Sequence, residues 1–412
     1  MTDGRPVDVV VVGAGIVGLA VARELRRRHP ALSITVVDRE ESVGAHQTGH
    51  NSGVIHSGVY YRPGSLKARL CVTGAALLQE YCDEHAIPYD RCGKLIAALD
   101  EREEAALAGL EERGRANGVP GLRRVDAAGI REIEPACRGR AALYCPSTGI
   151  VDYGRVCRAL AAELAAGGVR LRLGFRADRL VPGAAAITVA GPAGRLTPRF
   201  VISCAGLWSD RVAVAAGAPA NPRIVPFRGA YLTLDPSAPP VVNTLVYPVP
   251  DPDLPFLGVH VTRTIGGGVT LGPTALLVGA RDAYRIGRVR LRDAAEIATW
   301  PGVWRMGRRY WRTGVTEAMM ATGRRRLVRA AARYVPAVED VAIVRETSAG
   351  VRAQAVDRDG RLVDDFVISA TPRAVHVRNA PSPAATSSLA LAAELVGRIE
   401  TAADWPWPVN RR

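Results

Sequence analysis

Val9 to Val12 is an unbroken β-branched run that ends abruptly in Gly13-Ala-Gly15-Ile16-Val17-Gly18. The valines favour a buried strand, and the three glycines fit the spacing G-x-G-x-x-G. Ile16 to His29 then carries apolar residues at helical spacing and arginines at its end, where cations favour the helix dipole. Pro30 closes it, and Ile34 to Asp38 reads as a second strand. Strand, glycine turn, helix and strand form a βαβ unit, hence a parallel sheet. The glycines allow a tight turn and close approach of a pyrophosphate to the helix N-terminus. Asp38 lies about 20 residues beyond Gly18, where an acid hydrogen-bonds a ribose hydroxyl and disfavours the extra phosphate of NADP. The pattern predicts a dinucleotide-binding chain.

The remaining elements argue for a longer cofactor than NAD. Residues 44–64 are rich in Gly, Ser, His and Asn, too chemically dense for a plain connector. Phe200 to Ala205 is another strand ending in glycine, Gly206, so several separate segments bear a nucleotide-binding signature. Helical patterns cover 66–86, 101–117 and 156–166, the last leading to a strand at 169–173. Residues 222–280 read as β-rich and 289–335 as helical and basic. Short strands are expected at 363–368 and 375–377, then a turn and a final helix over 387–399.

With 412 residues the chain is long enough for two or three domains' worth of core. Its net charge of +14 raises nucleic acid or a membrane surface as partners. Only Lys67 and Lys94 are lysines; the other 52 basic residues are arginine, which reads as a compositional bias. Residues 281–333 hold 14 arginines and four acids, so this stretch alone supplies +10. It carries no nucleic-acid-binding motif, and no nucleic acid partner is expected. Seven cysteines without a CxxC pair argue against a disulfide framework and for a reducing compartment. His46, His50 and His56 complete no ligand set, so no metal is expected. The apolar run 7–21 contains Asp8 and three glycines and fits neither a signal peptide nor a membrane span.

From Gly49-His-Asn-Ser-Gly-Val-Ile-His-Ser-Gly-Val-Tyr-Tyr61 onward the sequence closely resembles the L-2-hydroxyglutarate oxidase/dehydrogenase family, within the D-amino-acid-oxidase-like FAD superfamily. Cys92-Gly-Lys-Leu-Ile96, Cys145-Pro-Ser-Thr-Gly-Ile-Val-Asp-Tyr153, Ala349-Gly-Val-Arg-Ala-Gln-Ala355 and residues 376–388 agree, spread over nearly the whole chain. The resemblance implies an α/β fold: a discontinuous Rossmann-like FAD-binding domain (1–75, 140–215 and 340–412) and a mixed β-sheet and helical substrate domain (76–139 and 216–339). It implies oxidation of L-2-hydroxyglutarate to 2-oxoglutarate, with hydride transfer from Cα to flavin N5; the alternative is another 2-hydroxy acid or an amino acid. O₂ or a quinone is the electron acceptor. A cytoplasmic enzyme is expected, with residues 281–333 as either a solvated face or a peripheral contact with the inner face of the membrane.

The resemblance also assigns residues. Gly13, Gly15, Ile16, Val17, Gly18, Asp38 and Arg39 would hold the nucleotide, with Thr48, His50, Asn51, Ser52 and Gly53 from the loop after it. Cys204, Ala205 and Gly206 form the second cofactor strand, and Asn379, Pro381 and Ser382 the turn before the last helix. A base must take the hydroxyl proton, and either His56 or His260 is expected to do so, with His376 supporting the cofactor. A dicarboxylate requires a bidentate cation, for which Arg352 is the leading residue. Tyr60, Lys67, Arg228 and Tyr247 are further substrate-binding candidates.

Overall fold

A computed structural model describes residues 7–251, 257–401 and 405, the side chains of 344–348 excepted. The valine run occupies the middle of a six-stranded sheet and is buried along its whole length. Val9–Val12 runs parallel to Ile34–Val37 on one side and Phe200–Ser203 on the other. Arg170–Arg172 and Ala374–Asn379 extend the sheet outward in parallel, and Val367–Thr371 adds an antiparallel edge. A parallel sheet is covered on both faces, which is why these strands do not alternate apolar with polar residues. The helices Ile16–Arg28, Leu66–Glu84, Tyr153–Ala166 and Ser388–Glu400 share one core with it, through Leu19, Leu78, Leu160 and Leu395 among others.

Their caps explain the helix starts. Ser65 Oγ accepts from the Ala68 N–H, and Asp152 Oδ1 accepts from Gly154 and Arg155, so the helix expected from 156 begins one turn earlier at Tyr153. The edge strand expected at 363–368 instead begins at Val367.

The second layer is a nine-stranded mixed sheet. Its longest pair is Arg223–Leu234 against Ile343–Val356, antiparallel, with Phe227 opposite Arg352. Lys94–Ala98 runs parallel to Leu245–Pro248, and His260–Arg263 pairs with the latter. Two pieces assigned from sequence to the cofactor portion belong here: Ala141–Cys145, paired with Lys94–Ala98, and the strand Ile343–Val356. The 14-residue strand was hidden because its buried positions include Ala349, Ala353 and Ala355. Over residues 348–355 the only β-branched residue is Val351, so the signal that marks a strand is weak there.

Gly13 sets the crossing of the first layer. It has φ +112°, and a Cβ there would stand 2.4 Å from the carbonyl oxygen of Cys204. Gly18 lies so close to Gly13 that a Cβ would overlap its carbonyl. A cavity of about 1280 Å³ opens at this turn, the carboxyl end of the parallel strands where ligands of such sheets bind, and continues to the large sheet.

Candidate active site

One end of the cavity is built on the glycine turn. Gly13, Gly15, Ile16, Val17, Asp38 and Arg39 line it; Gly18 lies behind, packed against Gly13. Asp38 accepts from the Ala14 N–H at 2.6 Å and from the Glu40 N–H at 2.9 Å, which fixes its carboxylate at the mouth of the turn. Arg39 covers the Trp208 ring at 4.1 Å and pairs with Glu40 at 3.1 Å. Thr48 Oγ1 accepts from the Ile16 N–H at 3.2 Å, and a Cβ on Gly15 would come within 3.3 Å of the same oxygen. His50 stacks on Tyr284, and Asn51 turns the loop by accepting from the Gly53 N–H. Ser52, Cys204, Ala205 and Gly206 also line the cavity. Gly53 stands behind its wall with φ +71°, and a Cβ there would meet the Val151 carbonyl at 2.8 Å. These residues fit FAD. Bare backbone at Gly13 and Gly15 leaves room for a pyrophosphate, Asp38 suits a ribose, and the same cavity runs on from the turn to the second layer.

At the other end, the large sheet brings His260, Tyr247, Tyr231 and Arg352 to the cavity, facing His56 and Ser382. Phe227, Gly229 and Tyr231 line it because alternate residues of a strand share a face. Arg352 lies opposite Phe227 and therefore on that face, whereas Arg228 lies on the other face, buried, beside the Tyr284 carbonyl. Arg228 is therefore not brought to the cavity.

His260 stacks on Tyr247 with ring centroids 3.9 Å apart. Its Nδ1 is 3.1 Å from the Gly258 carbonyl. A carbonyl only accepts, so Nδ1 carries the proton and Nε2 of the neutral ring keeps its lone pair. Burial, against a smaller opposing effect of the Gly258 hydrogen bond, and then the charge of Lys94 push the His260 imidazolium down to about 4. His56 is held by its backbone: its N–H donates to Thr386 Oγ1 at 3.1 Å, and Thr386 hydrogen-bonds Tyr153, which donates to the Val54 carbonyl. Its Nε2 is 3.4 Å from Ser382 Oγ, and its Nδ1 has no hydrogen-bond partner. Burial, followed by Lys94, His260 and Lys67, pushes His56 down to about 3. Both rings are thus neutral near pH 7.

The other expected residues fall just outside. Lys67 is buried, donates to Asp364 at 2.9 Å and covers the Tyr61 ring; its charge and that of Arg352 oppose one another. Tyr60 lies beneath Tyr247 on the far side of Lys94. Asn379 donates to the Val363 and Asp365 carbonyls and shapes the turn, while its neighbours Ala380 and Ser382, rather than Asn379 or Pro381, reach the cavity. His376, fully buried, binds Thr371 Oγ1 within the first sheet. Sequence reasoning missed Gln47, Thr386, Tyr61 and Asp364 in these surroundings, and it passed over Lys94. For Lys94 a signal existed: it is one of two lysines in a chain that otherwise uses arginine. All seven cysteines are free, and no metal-ligating cluster occurs among the described residues.

Residues 8–398 match the family model described as FAD dependent oxidoreductase, which defines the class. The solved structures that resemble this one share its fold: L-alpha-glycerophosphate oxidase from Mycoplasma pneumoniae with FAD bound is 22% identical with a TM-score of 0.78, covering 99% of this chain and 97% of that one. Glycine oxidase from Geobacillus kaustophilus is 20% identical with a TM-score of 0.70, each chain covered to 98%. Within the class the similarity narrows. The mitochondrial L-2-hydroxyglutarate dehydrogenase of Nematostella vectensis is 47% identical over 93% of this chain and 88% of that protein. The human enzyme of the same name is 44% identical over 95% and 88%, and L-2-hydroxyglutarate dehydrogenase of Indibacter alkaliphilus is 40% identical over 93% and 96%. The chain belongs to the L-2-hydroxyglutarate dehydrogenase family of FAD-dependent oxidoreductases.

Proposed function

We propose that this chain oxidises L-2-hydroxyglutarate to 2-oxoglutarate. One observation carries the reading: a single cavity joins the nucleotide-binding glycine turn to a neutral histidine with a free ring nitrogen and to a half-buried arginine, Arg352. Bound FAD supplies the acceptor for the hydride leaving the substrate's C2. Arg352 binds a substrate carboxylate; its planar fork suits that geometry, and its partial desolvation in the cavity wall strengthens the contact. His260 Nε2 takes the hydroxyl proton, and stacking on Tyr247 fixes the ring while it does so. Purified enzyme given L-2-hydroxyglutarate and an artificial electron acceptor is expected to release 2-oxoglutarate. Turnover confined to an amino acid or to a monocarboxylic hydroxy acid contradicts the substrate reading.

For the acceptor, a second observation favours a quinone reached at a membrane surface. Of the basic segment's arginines, Arg281 pairs with Asp210 inside the protein, and Arg288 and Arg290 pair with Asp282. Arg308, Arg309, Arg312, Arg324, Arg325, Arg326 and Arg329 are exposed on the helices Pro301–Thr322 and Arg324–Ala332, next to Trp304 and Trp311, which are 64% and 59% exposed. Arginine with exposed tryptophan is the composition of an interfacial helix. No helix among the described residues is long and apolar enough to cross a membrane, so the contact would be peripheral, on the anionic inner face. The protein is expected to sediment with anionic liposomes at physiological salt, and the double change Trp304→Ser/Trp311→Ser to weaken that. Protein left wholly in the supernatant contradicts the membrane reading.

A further inference from the structure

The basic segment holds one acid that none of its arginines claims. Glu317 is the only carboxylate between Glu296 and Glu339, a stretch rich in arginine. Among the described residues it pairs with no arginine; burial pushes its carboxyl up, and one backbone N–H opposes that. The donor is Ala275, whose N–H reaches Glu317 Oε2 at 2.7 Å. Ala275 lines the reaction cavity together with Pro273 and Thr274, and Glu317 does not. A side chain of the helix Pro301–Thr322 therefore grips the cavity wall from behind.

The register of the large sheet shows why that wall needs an anchor. Leu271 faces Leu232 and Leu276 faces Arg228, both on the strand Arg223–Leu234. The chain from 271 to 276 thus takes one residue more than its partner, which makes a β-bulge. A bulge breaks the ladder and leaves backbone donors without their usual acceptors. Thr274 repairs one side: its N–H donates to the Ala230 carbonyl at 3.2 Å, and its Oγ1 accepts from the Ala230 N–H at 3.1 Å. The Ala275 N–H is left over, and Glu317 takes it. The bulge starts beside the histidine read as the base, because Gly272 is the residue paired with His260. It is also tightly seated: a Cβ on Gly229 would stand 3.0 Å from the Pro273 ring. Glu317 reaches in from the inner side of its helix. Met306, about three turns earlier, is buried, while Trp311 and Val315 on the opposite side are exposed.

We propose that Glu317 is a positioning residue for the reaction: it anchors the Pro273–Ala275 bulge and thereby fixes the cavity wall beside His260. The proposal rests on the reading of this cavity as the site of L-2-hydroxyglutarate oxidation. It adds that the basic helix, whatever its outer face meets, holds part of the substrate's binding surface in place. Without the acceptor the bulge loses one of its two ties. Substrate then binds a wall that must first be ordered, so the loss falls on binding rather than on the chemical step.

The test compares FAD-loaded wild type with Glu317→Met, which keeps the length and helix propensity and removes the acceptor. Glu317→Ala serves the same purpose should the methionine variant not fold. A retained yellow band and near-ultraviolet circular dichroism establish folding. KM and kcat are measured, together with the Kd of 2-oxoglutarate by calorimetry. The variant is expected to raise KM and Kd about tenfold, with kcat within about threefold of wild type, as for one lost charge-assisted hydrogen bond. Glu317→Gln, whose amide oxygen still accepts from Ala275, is expected to recover most of the loss. Met320→Ala is the control for mere packing, since Met320 packs against the core of the large sheet from the same helix. It is expected to lower the melting temperature and leave KM and Kd near wild type. KM and Kd unchanged in a folded variant without the acceptor overturn the proposal. So does a glutamine variant no better than the methionine one, or a control that raises both constants equally. Failure of the substrate reading shows already in wild type, which would then not turn over L-2-hydroxyglutarate. The same comparison with whichever acid reduces the flavin then decides the role of Glu317.

Discussion

His260→Ala is expected to lower kcat by at least about 100-fold, the range general-base catalysis commonly supplies. The loss should fall on kcat more than on KM, because the ring takes a proton that moves only during reaction. His56→Ala should cost less, because its ring nitrogens touch only Ser382, weakly, and its main tie to the fold is a backbone N–H. A His56→Ala variant as inactive as His260→Ala, with FAD still bound, would reverse the two roles. The pH dependence has a definite sign. His260 is pushed down to about 4 in the fold, against about 6.5 in an unfolded chain. The base therefore remains competent until the pH falls toward 4. Its contribution to stability is fully present above about 6.5 and is lost as the pH falls through the folded value.

Arg352→Met is expected to raise KM by about 100-fold, the equivalent of one charge-assisted bidentate contact in a buried site, at roughly 3 kcal/mol. Methionine preserves much of the side chain's length, so the cavity wall formed with Phe227 and Gly350 should persist. Lys67→Met removes a cation already bound to Asp364 and should raise KM far less. Equal effects in the two variants would mean that Asp364 gives way and that Lys67 contacts the substrate directly. Steady-state kinetics over a wide range of L-2-hydroxyglutarate concentration separates these cases.

The parts of this architecture that were legible in sequence are those where backbone conformation leaves a mark. Gly13 and Gly18 must be glycine because another backbone lies within bond-like distance of their missing Cβ atoms, and the valine run must be buried because both sheet faces are covered. Ile343–Val356 left no such mark. Alanine fills three of its buried positions, Ala349, Ala353 and Ala355, and small residues read as helix or coil. At the site, His56, His260, Tyr247 and Arg352, singled out by the segments that carry the family resemblance, line the same cavity. Arg228 failed for a geometric reason, since a residue one position from the cavity-facing Phe227 points to the opposite face. Asp364 was invisible as a functional group because its relevance depends on what packs beside it, a lysine some 300 positions earlier in the chain.

The central claim is that one cavity oxidises L-2-hydroxyglutarate at a bound flavin. Anaerobic mixing of the yellow holoenzyme with a panel of 2-hydroxy and amino acids tests it most directly. The account predicts that L-2-hydroxyglutarate bleaches the flavin absorbance rapidly and stoichiometrically, with the D-enantiomer, L-lactate and L-glutamate far slower. Bleaching by one of those acids with L-2-hydroxyglutarate inert, or protein that neither carries FAD nor takes it up, would contradict it.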